Sequence, residues 1–413
     1  MSTEIPGFRP VPRTGVIYVM TEARRSGYEP ESGAWANLGQ GSPECGELEG
    51  GPSRAMAVEF THRAHEYSPV PGLDDLREAV ATMYNARYRR GKASQYTREN
   101  VAISAGGRTA LTRLVTAVGR VNIGHFLPDY TAYAELLGAF NTFVAIPILL
   151  DARTHFGFSA EELRHEILGR GLSIILFSNP CNPTGNLVHG EQARDWVRCA
   201  RETGCTLVAD EFYGHYVYDI NRPAVSLAEH VEDVDHDPVV VIDGLTKNWR
   251  YPGWRVAWTV GPKAVIEAVS SAGSFLDGGC SMPMQRAAVS LVTQEIADQE
   301  ARSIQKVFGE KRLFLAGELV RMGIEVSPIP AGGFYCWGNL SHLPQELNTG
   351  MAFFRKALEK HVITVPGEFF DIDPGARRPD RPSRFRHFAR FSFGPAREEL
   401  ERGVANLRAL LQR

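Results

Sequence analysis

Short apolar runs rich in β-branched residues recur through the middle of the chain, with amphipathic segments between them. We predict that these runs are strands covering residues 101–104, 123–127, 143–150, 172–178, 205–209 and 239–242. The last run, Val-Val-Val-Ile, lacks alternation, which is typical of a strand buried on both faces of a parallel sheet. Helical patterns at residues 73–88 and 109–118 follow turn signals. The order of these elements predicts an α/β fold with a mostly parallel sheet.

Glycine-rich or polar segments follow most of the predicted strands directly. They are Gly-Gly-Arg at 106–108, Pro-Asp-Tyr at 128–130, Asn-Pro-Cys-Asn at 179–182, Asp-Glu-Phe-Tyr at 210–213 and Leu-Thr-Lys at 245–247. Ligands of open α/β sheets bind beyond the carboxyl ends of the strands, so we expect these segments to face one crevice.

Each of these segments has a modest meaning alone. Two glycines before a helix can bind a phosphate, but a lone pair of glycines is weak support for a site. A lysine after a strand usually points into water, although a low dielectric would lower the pKa of its amine and make it a nucleophile. A carboxylate at a buried strand end, as at Asp210, needs a cation unless it caps a helix. Together they fit a flat, cationic, phosphorylated ring bound to a lysine, which describes pyridoxal 5′-phosphate.

Composition restricts the possible partners. The chain has 413 residues, a formal net charge of -3 and no concentration of basic residues, so we expect neither nucleic acid nor a membrane surface as a partner. No apolar run reaches the roughly 20 residues of a membrane helix, and the first fifteen residues show no signal-peptide pattern. The six cysteines are scattered without metal-ligand spacing, which predicts reduced thiols, no metal site and a cytoplasmic protein.

Five motifs in the same order resemble those of class I/II aminotransferases. They are Leu-Gly-Gln-Gly at 38–41, Asn-Pro-Thr-Gly at 182–185, Lys247, Arg255 and Arg-Phe-Ser-Phe at 390–393. The resemblance spans nearly the whole chain and implies the aspartate aminotransferase-like fold, fold type I of the pyridoxal-phosphate enzymes. It implies a large cofactor-binding domain at 50–300, with a mostly parallel sheet, and a smaller α/β domain made of 1–49 and 301–413. The implied reaction moves the amino group of an L-α-amino acid to a 2-oxo acid by a ping-pong mechanism.

The resemblance also implies the roles of individual residues. Lys247 would form the Schiff base with the cofactor and move the substrate proton, and Asp210 would pair with the ring nitrogen. Tyr213 and Asn182 would hydrogen-bond the phenolic oxygen of the ring, and Tyr130 would stack on the ring. The phosphate would be held by Gly106, Gly107, Arg108 and Arg255, and by Tyr67 from the neighbouring subunit of a homodimer.

The resemblance places the substrate carboxylate at Arg390, helped by Asn182 and the backbone of Gly41. Gly244 stands where many relatives have a phosphate-binding serine, so Thr246 or the backbone would compensate.

Substrate choice and reaction type stay open at this point. We expect Arg250 to be a solvated arginine, although it could reach the pocket. Arg108, Arg250 and the arginines of the Pro/Arg-rich segment 373–386 hint at a donor with an acidic or carboxamide side chain. That segment either covers the entrance or is a surface loop. A β-lyase, decarboxylase or oxidase could use the same fold and cofactor. A non-enzymatic effector-binding module is disfavoured by the neutral charge balance and by the lack of a helix-turn-helix pattern.

Overall fold

The computed structural model describes residues 15–140, 142–378 and 381–411. The strands are β1 (Ala36–Asn37), β2 (Val101–Ser104), β3 (Asn122–Leu127), β4 (Val144–Leu149), β5 (Leu172–Ser178), β6 (Thr206–Asp210), β7 (Val239–Gly244), β8 (Ala257–Val260), β9 (Tyr335–Asn339), β10 (Val362–Ile363), β11 (Val365–Pro366) and β12 (Phe388–Ser392). The α-helices are α1 (Gly15–Arg25), α2 (Asp74–Tyr88), α3 (Gly107–Ala117), α4 (Ala132–Gly138), α5 (Ala160–Arg170), α6 (Gly190–Thr203), α7 (Lys263–Leu276), α8 (Met282–Val289), α9 (Gln294–Arg321), α10 (Gly350–Leu358) and α11 (Arg397–Leu411).

Seven strands form the central sheet, in the order β2-β8-β7-β6-β5-β3-β4. The neighbours from β7 to β4 pair in parallel, whereas β8 pairs antiparallel with both β2 and β7. The predicted α/β class and mostly parallel sheet are therefore confirmed. Strand β8 is absent from the six predicted strands, and it separates β2 from the parallel block.

The burial of β7 explains why its sequence lacks alternation. Val240 and Ile242 pack into the apolar core on one face of the sheet, while Val239 and Val241 pack into the core on the other face. Because both faces of the strand are covered, every position favours an apolar, β-branched side chain.

Two smaller sheets are built from strands that precede β2 or follow β8 in the chain. Strand β1 pairs in parallel with β10, and β11-β12-β9 form an antiparallel sheet. The N-cap residue of helix α9 is Thr293, whose side chain accepts a hydrogen bond from the backbone N–H of Ile296. The domain boundaries at 49/50 and 300/301 remain a prediction, and residues 1–14 of the smaller domain lie outside the described residues.

Candidate active site

A cavity of about 380 Å³ opens at the carboxyl ends of β5, β6 and β7. The predicted site residues that line it are Gly107, Arg108, Tyr130, Asn182, Asp210, Tyr213, Thr246, Lys247 and Arg255. The cavity wall is completed by Leu111, Ser178, Phe212 and Pro252. The strand ends therefore bring together segments that are separated in sequence by as much as 148 residues, counted from Gly107 to Arg255.

Lys247 lies in the turn that follows β7, where the hydroxyl of Tyr216 donates a hydrogen bond of 3.0 Å to its backbone carbonyl. Its Nζ donates a short hydrogen bond to the carbonyl of Gly41. The side chain borders the cavity and keeps some exposed surface, but protein atoms surround its amine. Burial, followed by the charge of Arg390, lowers the pKa of Lys247 to about 7. The amine can therefore take up and release a proton near neutral pH.

Asp210 ends β6 and is only 5% exposed. The hydroxyl of Tyr133, in α4, donates a hydrogen bond of 2.9 Å to its Oδ2. Burial raises the pKa of Asp210 to about 6, while the Tyr133 hydrogen bond opposes that rise. Among the described residues no cation forms an ion pair with Asp210, so its charge is available to a cationic ligand in the cavity.

Arg390 of β12 is not among the cavity-lining residues, but it joins two elements at the cavity. Its Nη1 donates to Oδ1 of Asn182 at 2.8 Å, and its Nη2 donates to the carbonyl of Gly39 at 2.9 Å. Its guanidinium carbon lies 4.1 Å from the ring centre of Tyr335, and the hydroxyl of Tyr335 is 3.0 Å from that of Tyr213. Nε of Arg390 is buried without a hydrogen-bond partner among the described residues. A donor therefore remains free for an anion.

The N-terminus of α3 forms the predicted anion cradle. Gly106 has a φ of +88°, and a Cβ there would lie 2.0 Å from Nη2 of Arg255. A side chain at Gly107 would lie 2.4 Å from the ring of Phe212. The two glycines thus allow Arg255 and the helix terminus to approach the same point, where a helix favours an anion. Oγ1 of Thr246 is buried there without a partner among the described residues.

Besides Gly106 and Arg390, two other predicted residues lie outside the cavity lining. Gly41 touches the site through its carbonyl, which accepts from Lys247. Tyr67 is 95% exposed and does not line the cavity of its own chain.

Sequence reasoning missed a second buried carboxylate beneath the site. Asp129 accepts hydrogen bonds from the N–H of Tyr130 at 2.7 Å, the N–H of Ser178 at 3.2 Å and the hydroxyl of Ser178. Burial raises the pKa of Asp129 to about 8. Its place in the Pro-Asp-Tyr segment at a strand end was a usable signal. Tyr133 follows Tyr130 by three residues, a helical spacing from which its position near the site could have been predicted. No sequence pattern indicated Tyr335.

The expectation that Arg250 is solvated is wrong. Its side chain is completely buried and its Nε donates to Oε1 of Glu300 at 2.7 Å. It does not line the cavity, so it cannot support an acidic donor through direct contact. The described residues of the Pro/Arg-rich segment 373–386 do not line the cavity either; residues 379 and 380 lie outside the described part.

Two further findings concern residues 15–140, 142–378 and 381–411, which the structure describes. There, His, Cys, Asp and Glu side chains form no group of three or more that could bind a metal ion. None of the described helices combines the length and the apolar composition that a bilayer crossing requires.

Comparison with known proteins gives a consistent result. The family model described as aminotransferase class I and II matches residues 35–407. An aspartate aminotransferase of Streptomyces avermitilis is 28% identical over 84% of this chain and 82% of its own length. An aspartate/prephenate aminotransferase of Thermus thermophilus is 25% identical over 100% and 99% of the two chains. A solved aminotransferase structure from Mycobacterium tuberculosis has a TM-score of 0.78 at 24% identity, covers 97% of each chain and supports the shared fold.

Proposed function

We propose, since the chain belongs to the aminotransferase class I and II family, that it transfers amino groups with pyridoxal 5′-phosphate held at Lys247. The family membership confirms the sequence-based resemblance and makes the chain a transferase of amino groups. It does not favour the lyase, decarboxylase or oxidase alternatives. The observation that carries the cofactor assignment is the enclosed amine of Lys247, which shares one cavity with an unpaired carboxylate and an anion cradle.

The cradle fits the phosphate of this cofactor. Gly106, Gly107 and the N-terminus of α3 supply backbone N–H groups, and Arg255 supplies a cation. The unpartnered Oγ1 of Thr246 gains a hydrogen-bond acceptor when a phosphate occupies the cradle. This supports the expectation that Thr246 compensates for Gly244.

The opposite wall fits the ring. Asp210 offers a buried carboxylate to the ring nitrogen, and the Tyr133 hydroxyl keeps that carboxylate charged. Tyr213 and Asn182 offer a hydroxyl and an amide to the phenolic oxygen, and Tyr130 offers an aromatic face. When bound, pyridoxal 5′-phosphate supplies a carbonyl that captures the amino group and a ring that accepts the electron pair released at Cα.

The chain's own groups then position the substrate and move its proton. We assign the α-carboxylate of the substrate to Arg390, whose guanidinium is fixed by Asn182 and Gly39 and keeps one unpartnered N–H. The amine of Lys247 would take the proton from Cα of the substrate and deliver it to C4′ of the cofactor, a task suited to a pKa of about 7. Arg390 would therefore bind the carboxylate carried by Cα, the carbon that Lys247 deprotonates.

We further propose that the donor has an acidic side chain, as the names of the aspartate aminotransferase relatives suggest. Arg108 is the supporting residue, because it lines the cavity and its Nε and Nη2 lie 3.4 Å from the hydroxyl of Tyr130. Its second N–H edge can receive a side-chain carboxylate or the cofactor phosphate. These two roles make different predictions. If Arg108 binds the side-chain carboxylate, Arg108→Leu raises the KM for aspartate but not for alanine. If it binds the phosphate, the same substitution weakens cofactor binding.

A homodimer is the proposed assembly. Exposed apolar residues are found at Met56 (90%), Phe60 (64%), Tyr67 (95%) and Phe275 (72%). Three of these four residues lie between positions 56 and 67, and a contiguous exposed apolar surface is typical of one that another chain covers. Supply of Tyr67 to the phosphate of a neighbouring subunit is part of this proposal. A cytoplasmic location also remains a proposal, supported by six cysteines that form no disulfide.

The test of the function uses purified protein loaded with pyridoxal 5′-phosphate. Borohydride reduction followed by peptide mass mapping should place the cofactor on Lys247. An amino donor alone should convert the bound cofactor to its aminated form, and a 2-oxo acid should restore it. Release of ammonia, carbon dioxide or peroxide in stoichiometric amounts would instead support one of the alternative reactions, and attachment at another lysine would refute the site.

A further inference from the structure

Arg250 lies three residues after Lys247 and is the most enclosed cation near the site, with no exposed side-chain surface. Its backbone has a φ of +57°, which residues other than glycine, asparagine and aspartate rarely adopt. The N–H of Arg250 donates to the carbonyl of Lys247 at 3.0 Å, so the two residues share one tight turn. An arginine buried in this conformation requires a compensating set of contacts.

Those contacts lead to two other parts of the chain. Nε of Arg250 donates to Glu300 of α9 at 2.7 Å. Nη1 donates to the carbonyls of Glu44 at 3.0 Å and Gly46 at 2.7 Å. Arg54 reinforces the turn, because its Nη2 donates to the carbonyl of Arg250 at 3.0 Å and its Nη1 reaches Glu300 at 3.3 Å. One guanidinium thus ties the Lys247 turn to residues 41–46, which we name the 41–46 segment, and to α9.

The 41–46 segment also reaches the catalytic amine. The carbonyl of Gly41 accepts the hydrogen bond of the Lys247 Nζ. Further along the segment, the N–H of Glu44 donates to Gly394 at 2.8 Å, and the carboxylate of Glu44 pairs with Lys311 of α9. Lys247 therefore binds the start of the 41–46 segment and Arg250 binds its end, and both residues belong to one turn.

We propose that Arg250 is a positioning residue that fixes the 41–46 segment against the Lys247 turn, so that the backbone of Gly41 is held at the substrate carboxylate. The fork of the guanidinium is essential, because one planar group donates to a carboxylate and to two carbonyls at the same time. Lysine keeps the charge but lacks the geometry to bridge all three. The inference rests on the proposed function only for the statement that Gly41 faces substrate.

The first test needs no cofactor and compares three variants by amide hydrogen exchange with mass spectrometry. Arg250→Gly removes the side chain and suits a φ of +57°, so it adds no backbone strain. Arg250→Lys keeps the charge without the fork. The matched control is Arg312→Ala, which removes a different buried arginine, one that lies in α9 and binds Asp219 and the carbonyl of Pro330 at 2.6 and 3.1 Å. The hydrogen bonds and ion pairs of Arg312 involve no residue of the 41–46 segment.

We expect peptides that cover the 41–46 segment to exchange at least about tenfold faster in both Arg250 variants, since a hydrogen bond to a charged group is lost. The control should leave the exchange of these peptides unchanged. Unchanged exchange in Arg250→Gly would overturn the proposal. A uniform increase over the whole chain, equal to that of the control, would reduce Arg250 to a residue of general stability and would also overturn it.

The second test uses the loaded enzyme. In Arg250→Gly we expect the KM of the amino donor to rise about tenfold, with a smaller fall in kcat and unaltered attachment of the cofactor to Lys247. A lower thermal midpoint with unchanged KM would contradict the positioning role. If the wild type itself binds no pyridoxal 5′-phosphate, the proposed function fails, while the exchange test of the Arg250 contacts still gives its own result.

Discussion

Tyr133 is the residue on which we expect the charge of Asp210 to depend. Replacing it with phenylalanine removes one hydroxyl from a wholly buried ring, and with it the hydrogen bond of 2.9 Å to Oδ2 of Asp210. A hydrogen bond to a charged group contributes about 1.5–3 kcal/mol, which corresponds to about one to two pKa units. Because the bond stabilises the carboxylate, its loss raises the pKa of Asp210, which is already raised to about 6 by burial.

The variant should therefore need a higher pH to ionise Asp210. At pH 7 the carboxylate is roughly nine-tenths ionised in the wild type and roughly a tenth to a half ionised in Tyr133→Phe, whereas at pH 9 most of it is ionised in both. Only the carboxylate can pair with a cationic ring nitrogen. The ratio of the two dissociation constants for pyridoxal 5′-phosphate should thus grow about two- to tenfold between pH 9 and pH 7.

Equilibrium dialysis of the cofactor-free proteins over this pH range measures that ratio, and titrations common to both proteins cancel in it. Tyr218→Phe is the matched control, because it also removes a buried hydroxyl, one that donates to the carbonyl of Gly333 at 2.9 Å. Its ratio to the wild type should not change with pH. A ratio independent of pH for Tyr133→Phe would refute the assignment of Asp210 as the partner of the ring nitrogen.

Three further substitutions test other parts of the site. Arg390→Lys keeps the charge but loses the bidentate geometry, so steady-state kinetics should show the KM of the donor rising about tenfold or more; an unchanged KM would remove Arg390 from the carboxylate site. Gly106→Ala places a Cβ 2.0 Å from Nη2 of Arg255 and should weaken binding of pyridoxal 5′-phosphate in dialysis, whereas Gly119→Ala, which meets nothing within 4 Å, should not. Asp129→Asn tests linkage: the pKa of Asp129 is raised to about 8 in the folded chain, so its contribution to stability is lost as pH rises from about 4 to 8, and this loss occurs only in the wild type. Urea unfolding should show the variant gaining more than about 1 kcal/mol relative to the wild type between pH 5 and pH 8, and a constant difference would contradict the burial of that charge.

The apolar runs and the polar segments that follow them were sufficient to predict six of the seven strands of the central sheet and most of the cavity lining. Strands β2 and β5 have the predicted bounds, and the bounds of β3, β4, β6 and β7 differ from the predicted ones by two residues or fewer. Apolar runs are local signals, and parallel strands place their carboxyl ends together, so Asp210, Asn182 and Lys247 could be assigned to one crevice from sequence. Strand β8 follows the 3-10 turn after Lys247 and pairs antiparallel, which no local pattern indicated.

Only the tertiary structure determined the contacts between residues that lie far apart in the chain. Asp210 meets Tyr133 across 77 residues, Tyr213 meets Tyr335 across 122, and Arg250 meets Glu300 across 50. The sequence determined which chemical groups follow which strands, because periodicity and turn residues act over a few positions. Whether an arginine is solvated or buried depends instead on the free energy of a pair that only the packed fold brings together. For that reason the local pattern predicted wrongly that Arg250 is solvated. In the structure it is buried and paired with Glu300 of α9.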